Sequence, residues 1–389
     1  MKICFISSYP PEKEGVGLYT KRLVDNFNIK EIDISVLTFN YKITYKEKNI
    51  FQVLGASPKN IIKTYTSLTS IKPDIIHIQY ATPVYRIYSL ILWILLCIYK
   101  KRNKTKLVVT FHEVRRETDL LRLPGIKYYS FISLIADHIL VHTEEARHIL
   151  IKRCRVKPQK ISRVPHGLFS INSNLLEGKR HLRKINNVNL TNKKIILFFG
   201  YIHIDKGIED LIAALDILYR EYPEEKSNSI LLIAGDIRPR KGIFKFFGYL
   251  DILYKKKLNK LIRNFRLEDN IAFLGYIKDK DVFPLLNSAT VIVMPYKKVE
   301  QSGVLNLALN SNIPIIATNI GGLQEILGNT GLTVEPKNIE RLMQKINIVI
   351  NSKYDDTELC KKYARIKKLN SLQITIKQHI KLYTYLSNS

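Results

Sequence analysis

Short apolar runs recur along the chain and alternate with segments of helical period. In the first half, KICFISS, IDISVLTFN, DIIHIQY, KLVVTFHE and HILVHT are mostly β-branched and bounded by Pro, Asp or polar residues. That pattern predicts buried strands. Between several of them, Gly17–Asn26 and Thr143–Cys154 carry helical spacing. Alternating strands and helices imply a parallel sheet with helices on both faces. The polar, basic, Asn-rich stretch Ser170–Asn192 breaks the pattern and reads as a linker. A second series follows, with strands KIILFFG, SILLIAG, NIAFLG, ATVIVMP, IPIIAT and GLTVEP and helices such as IEDLIAALDIL. The pattern therefore predicts two Rossmann-like α/β domains, 1–170 and 193–355, joined by a linker at 171–192, with a helical tail at 356–389.

Composition narrows the class. A chain of 389 residues with 46% apolar and 25% charged residues is an ordinary globular protein, not a disordered or collagen-like one. Cys4, Cys97, Cys154 and Cys360 are far apart and form no CxxC pair, which argues against a disulfide scaffold and a zinc site. A reducing, cytoplasmic compartment fits. The N-terminus, MKICFISSYPPEKEG, reads as a first strand and not as a signal peptide. Lys and Arg number 62 against 34 acids, a net charge of +28. Nucleic acid, an anionic membrane surface or a phosphorylated small molecule would each suit that charge. The uncharged segment IYSLILWILLCIY is too short to span a bilayer. It reads either as a buried helix between strands or as a helix in a membrane interface, with Trp93, Tyr99 and KKRNKTK at headgroup level.

Candidate chemistry sits after the strands. The loop YPPEKEGVG carries Gly15 and Gly17 before a helix beginning near Gly17, where backbone amides could approach a phosphate. A flexible surface loop explains it equally. In LFFGYIHIDKGIEDL, Lys206 and His203 stand where the next helix begins, above strand ends at which open α/β sheets bind ligands. A solvated loop Lys and a structural His are the plain alternatives. In MPYKKVEQSGVLNLALNSNIPIIATNIGGLQEIL, Ser302, Gly303 and Val304 would present free N–H groups at a helix N-terminus, a diphosphate cradle. Glu300 before it either holds sugar hydroxyls or is simply a helix-start acid.

Taken together, EQSGVLNLALNSNIPIIATNIGGLQEIL, FFGYIHIDKGIEDL, NIAFLGYIKDKDVFPLLNSATVIVMPY and VPHG resemble family 4 of the retaining glycosyltransferases. The resemblance covers nearly the whole second domain and extends to the first through the glycine loop, TFHE and VHTEEA. It implies the GT-B fold: two Rossmann-like domains facing across a cleft, with a C-terminal helix crossing back to the first. It implies transfer of a sugar, with retention and without a metal or other cofactor, from a nucleotide-diphosphate sugar to a glycan or lipid-linked acceptor. By position, Lys206 and the amides of Ser302, Gly303 and Val304 would hold the diphosphate. Glu300, with Gln301 beside it, would contact the donor sugar. His112 would lie beside the reacting sugar, and Gly15 and Gly17 would close over donor and acceptor.

The chain departs from the family in two places. The second Glu, eight residues after the first, is Ala308, and Glu300 to Pro314 is one residue short. Asn306 or Glu325 could substitute. The usual Arg before Lys206 is absent, with Tyr201 and His203 in that region, and Arg238 could supply the charge. Arg238–Arg266 carries ten basic residues, one acid and several aromatics. It reads as a solvated helix or as a contact with acidic headgroups or a lipid-linked acceptor. No motif for nucleic acid is present. A nucleotide-sugar epimerase of the same fold and a degenerate, non-catalytic nucleotide-sugar binder remain as alternatives. The expected location is the cytoplasm, with peripheral contact at the inner membrane face as a further option.

Overall fold

The computed structural model describes all residues except 12–14, 28–30, 41–44, 46, 86–87, 169–183, 186–187, 238–244, 352–355 and 389. The chain divides into two units, Met1–Gly167 with Asn370–Ser389, and Leu168–Leu369.

In the first unit the apolar runs form strands β1 Lys2–Ile6, β2 Asp33–Phe39, β3 Ile50–Leu54, β4 Ile75–Tyr80, β5 Lys106–Phe111, β6 His138–Val141 and β7 Ile161–Arg163. They build one sheet in the order β3-β2-β1-β4-β5-β6-β7, parallel throughout. β3 and β7 were not among the expected strands. One face packs beneath the helices Pro58–Ile71, Tyr88–Arg102 and Leu123–Ile135, with Trp93, Tyr99 and Tyr129 fully buried. The other face packs against Gly15–Asn26 and the last helix, Leu372–Ser387, whose Leu372, Ile376 and Tyr383 join Phe5, Tyr19 and Phe27. The first helix thus begins at Gly15, two residues before its expected start.

A short antiparallel pair, β8 Lys184–Ile185 and β9 Val188–Asn189, lies within the expected linker. The second unit's sheet holds β10 Lys194–Phe199, β11 Ser229–Ala234, β12 Ile271–Gly275, β13 Val291–Met294, β14 Ile315–Thr318 and β15 Thr333–Val334. Its order is β12-β11-β10-β13-β14-β15, again parallel. The tail is not one piece. Asp356–Leu369 stays with the second unit, where Tyr363 accepts a hydrogen bond from the Ile315 amide at 2.9 Å, while Leu372–Ser387 belongs to the first.

In each sheet the strand order reverses beside the first strand, between β1 and β4 and between β10 and β13. The loops leaving those strands diverge to opposite faces and open a crevice at the carboxyl ends.

Candidate functional site

In the second unit, the crevice between β10 and β13 collects the expected donor residues. Gly200 ends β10, and a 3-10 turn at Ile204–Lys206 follows. His203 caps that turn, its Nδ1 accepting from the Asp205 amide at 3.1 Å. Gly207 comes next with φ 63°, and a Cβ there would sit 2.0 Å from the Pro295 carbonyl oxygen. Only glycine satisfies both demands. The Asp205 carbonyl accepts from the Lys297 amide at 2.8 Å, so the loops after β10 and β13 are tied together.

This lays the Lys206 ammonium over the Tyr296 ring, 3.6 Å from its centroid. Tyr296 is fully buried. Among the described residues no carboxylate pairs with Lys206. Burial pushes its ammonium down to about 8, against a smaller upward pull from Asp205. The neighbouring Lys297 is already committed, 2.8 Å from Glu209 and 3.2 Å from Asp210. Among the described residues Lys206 is thus a desolvated cation without an ion-pair partner, an arrangement that suits an anionic ligand.

The helix Gly303–Ser311 begins beside it. Ser302 caps this helix, its Oγ accepting from the Leu305 amide at 3.2 Å, so the amides of Gly303 and Val304 are left for a ligand. The position where a Gly303 Cβ would stand is open, with nothing within 4 Å. Val304 Cγ2 lies 3.6 Å from the corresponding position at Gly200, which puts this helix end against the end of β10. Glu300 and Gln301 are half-buried on the approach to it. The Glu300 carbonyl accepts from the Gly322 amide at 3.1 Å, joining the loops after β13 and β14. Glu325 lies exposed on the short helix Gly321–Leu327, and Asn306 is buried. Ala308 is fully buried in the hydrophobic core. Arg238 lies outside the described residues.

The first unit gathers a second set that local sequence reasoning did not assemble. Gln79 in β4, His112 after β5, His142 after β6 and His166 after β7 stand at the carboxyl ends of four successive parallel strands. His112 and His142 rings are 5.0 Å apart, and His142 and His166 are 4.9 Å apart. Tyr19 packs on all three. Gly17 allows that helix to approach β1, since a Cβ would lie 3.2 Å from Ser8 and Tyr9. Gly15 has open space around it.

The tautomers follow from the partners. The Val164 carbonyl accepts from His142 Nδ1 at 2.9 Å, so His142 Nε2 carries a lone pair, buried and without a partner among the described residues. Gln79 Oε1 accepts from His112 Nε2 at 2.8 Å, while its amide nitrogen faces His77 Nε2 at 3.4 Å. His112 then presents Nδ1. His77 in turn meets the hydroxyls of Tyr383 at 2.5 Å and Thr110 at 2.7 Å. Burial, reinforced by neighbouring imidazoles, holds His112 and His166 well below the usual histidine range. Burial takes His142 down to about 4. The cluster is neutral at pH 7 and offers lone pairs to hydroxyl donors. His112, His142 and His166 also have ligand atoms within 4.8 Å of one another, the one such trio among the described residues that could hold a metal ion.

Comparison with known proteins agrees with this layout. Residues 14–168 match the model of glycosyltransferase family 4, and residues 180–368 match that of glycosyl transferases group 1. An uncharacterized glycosyltransferase of Methanocaldococcus jannaschii is 28% identical over 162 residues, 41% of this chain and 36% of that protein. A glycogen synthase of Mycobacterium tuberculosis is 27% identical over 173 residues, 44% of this chain and 36% of that protein. The matches thus span little more than a third of these relatives' lengths. Among solved structures, HepE of Anabaena in complex with UDP superposes with a TM-score of 0.75 at 15% identity, covering 99% of this chain and 100% of that one. Sucrose-phosphate synthase of Thermosynechococcus elongatus gives 0.74 at 18% identity, covering 99% of each. These likenesses establish a GT-B fold. With most of its length matched by these two glycosyltransferase models, the chain is a glycosyltransferase of the family 4 type.

Proposed function

We propose that the protein is a retaining glycosyltransferase that moves a sugar from a nucleotide-diphosphate sugar, of the uridine series, to a glycan or lipid-linked acceptor. The observation that carries the reading is Lys206, a desolvated ammonium over Tyr296 beside the open amides of Gly303 and Val304. Charge develops on the diphosphate as the bond from the anomeric carbon to its oxygen breaks. A fixed cation and a helix N-terminus stabilise that charge. The acceptor oxygen forms the new bond, and its proton passes to the departing phosphate oxygen. Glu300 and Gln301 hold the donor sugar, and the neutral imidazole of His112, aimed by Gln79, accepts hydrogen bonds from sugar hydroxyls. The UDP complex of the similar HepE structure supports uridine as the base. The scheme draws its positive potential from Lys206 and the amides, and activity is expected to survive a chelator.

The test is UDP binding by calorimetry, followed by product analysis with UDP-sugars. UDP should bind the wild type and lose at least tenfold in affinity in Lys206→Ala. An altered nucleotide sugar formed without acceptor would identify an epimerase instead. Binding without transfer or hydrolysis of any UDP-sugar would identify a non-catalytic binder.

A further inference from the structure

The helix Tyr88–Arg102 does not bury all its apolar residues. Trp93 and Tyr99 are in the core, as the reading of a buried helix has them and not at a headgroup boundary. The outward residues are aliphatic: Leu90, Ile94 and Ile98, at 56%, 60% and 44% exposure, fall at i, i+4 and i+8 on one face. The helix Leu123–Ile135 lies alongside. Trp93 Nε1 donates to Tyr128 at 3.0 Å, and Lys100 reaches the Ile135 carbonyl at 3.0 Å. Its own exposed stripe is Leu123, Lys127, Phe131 and Leu134, with Leu134 80% exposed. Leu120 and Leu121, exposed on the adjoining helix Val114–Leu121, extend the same surface. Eight large apolar side chains thus share neighbouring helices, on a patch roughly 15 Å long at 1.5 Å rise per residue. Contiguous apolar surface of this kind marks an interaction site.

Charge identifies the occupant. Residues 88–135 contain nine basic side chains and three acids. All three acids are engaged. Glu113 pairs with Arg116, and Asp119 pairs with Arg115 and Arg153. Glu117 is buried, bonded to Thr82 and Tyr129. Lys101, Lys104, Arg122 and Lys127 remain exposed around the apolar patch. A second copy of a chain carrying +28 would be repelled, whereas an anionic bilayer offers acyl chains to the aliphatics and headgroups to the cations. No helix among the described residues is long and apolar enough to cross a membrane.

We propose that this face of the first unit docks on an anionic membrane surface, with Leu90, Ile94, Ile98, Phe131 and Leu134 entering the headgroup boundary. The proposal stands apart from the donor-site reading and is tested by binding alone. The full chain is floated with vesicles of phosphatidylcholine, with or without 30% phosphatidylglycerol. Binding is expected only with the anionic lipid and should weaken as salt rises. Ile94→Glu with Leu134→Glu should reduce the partition coefficient at least tenfold, without changing the melting temperature, since both side chains are exposed. Lys101→Ala and Lys127→Ala should each cost about fivefold, the equivalent of one basic residue near such a surface. Three results would overturn the proposal: no binding to anionic vesicles, equal binding by the paired glutamate variant, or a concentration-dependent dimer that this variant abolishes.

Discussion

Lys206 makes the donor site measurable through protons. In the free protein burial sets its ammonium near 8. A bound diphosphate stabilises the charged form, so binding above pH 8 must take up a proton. With the bound lysine fully protonated, the apparent dissociation constant scales as one plus the ratio of neutral to charged Lys206 in the free protein. Between pH 7 and pH 9 that factor rises from about 1.1 to about 11, a loss of roughly tenfold or 1.4 kcal/mol. Proton uptake per UDP bound should rise from about 0.1 to about 0.9 over the same range. Both numbers come from calorimetry in two buffers of different ionisation enthalpy. Lys206→Arg keeps its charge throughout and supplies the baseline for any titration of UDP itself. Parallel slopes in wild type and Lys206→Arg would refute the reasoning, because the cation facing the diphosphate would then be another group.

Two further outcomes follow from burial and backbone geometry. Gly207→Ala should destabilise the second unit by about 3 kcal/mol, since it forces a Cβ to within 2.0 Å of the Pro295 oxygen at φ 63°, whereas Gly303→Ala, in open space, should spare stability yet weaken UDP binding; calorimetric melting and UDP titration of both variants check the contrast. His138, His142 and His379, all in the first unit, are each held near 4, below their unfolded value of about 6.5, so the unfolded chain binds more protons between those limits. Stability is then complete above pH 6.5 and falls as pH drops toward 4, by on the order of 3 kcal/mol per histidine at the low end; urea unfolding followed by Trp93, the chain's single tryptophan and part of that unit's core, should show a midpoint falling steadily from pH 7 to pH 4.5, and a constant midpoint would refute it.

The strands were legible because parallel strands are buried on both faces and read as nearly continuous apolar runs. Ile50–Leu54 escaped notice because it is an edge strand, only partly buried, with Gln52 in its middle. Lys206 and the Ser302–Val304 helix start were legible because each lies in the loop leaving a strand, and strand ends are where such sheets bind ligands. The histidine cluster was not. His112, His142 and His166 stand in three separate loops, and only the lateral order of β5, β6 and β7 brings them together. Nothing in the local pattern reports strand order. The outward face of Tyr88–Arg102 was not legible for a related reason. A helix apolar all round has no periodicity to show which side meets water, and the aromatic residues proved to be the packed ones.

Residue counting leaves open which position of the helix Gly303–Ser311 stands where the family has its second carboxylate. Counting eight forward from Glu300 puts the family's second carboxylate at Ala308, but the short spacing to Pro314 makes Leu307 the match when counted from the other end. Ala308 lies in the core, where an unpaired carboxylate would cost several kcal/mol. Leu307 and Ala308, three and four residues beyond Val304, flank the side of the helix that meets Gly200, and burial separates them: Leu307 is half-buried where Ala308 is not exposed at all. That is the side from which a carboxylate could reach the ribose of a nucleotide whose diphosphate rests at Lys206. Leu307→Glu should therefore keep the fold and bind UDP more tightly, by about 1–2 kcal/mol for a charged hydrogen bond to a ribose hydroxyl. Ala308→Glu should melt the second unit well below the wild type and bind nothing. If instead Ala308→Glu folds and gains affinity while Leu307→Glu loses it, the burial of Ala308 would not be what bars a carboxylate there, and the assignment of the second carboxylate's place to Leu307 would fall.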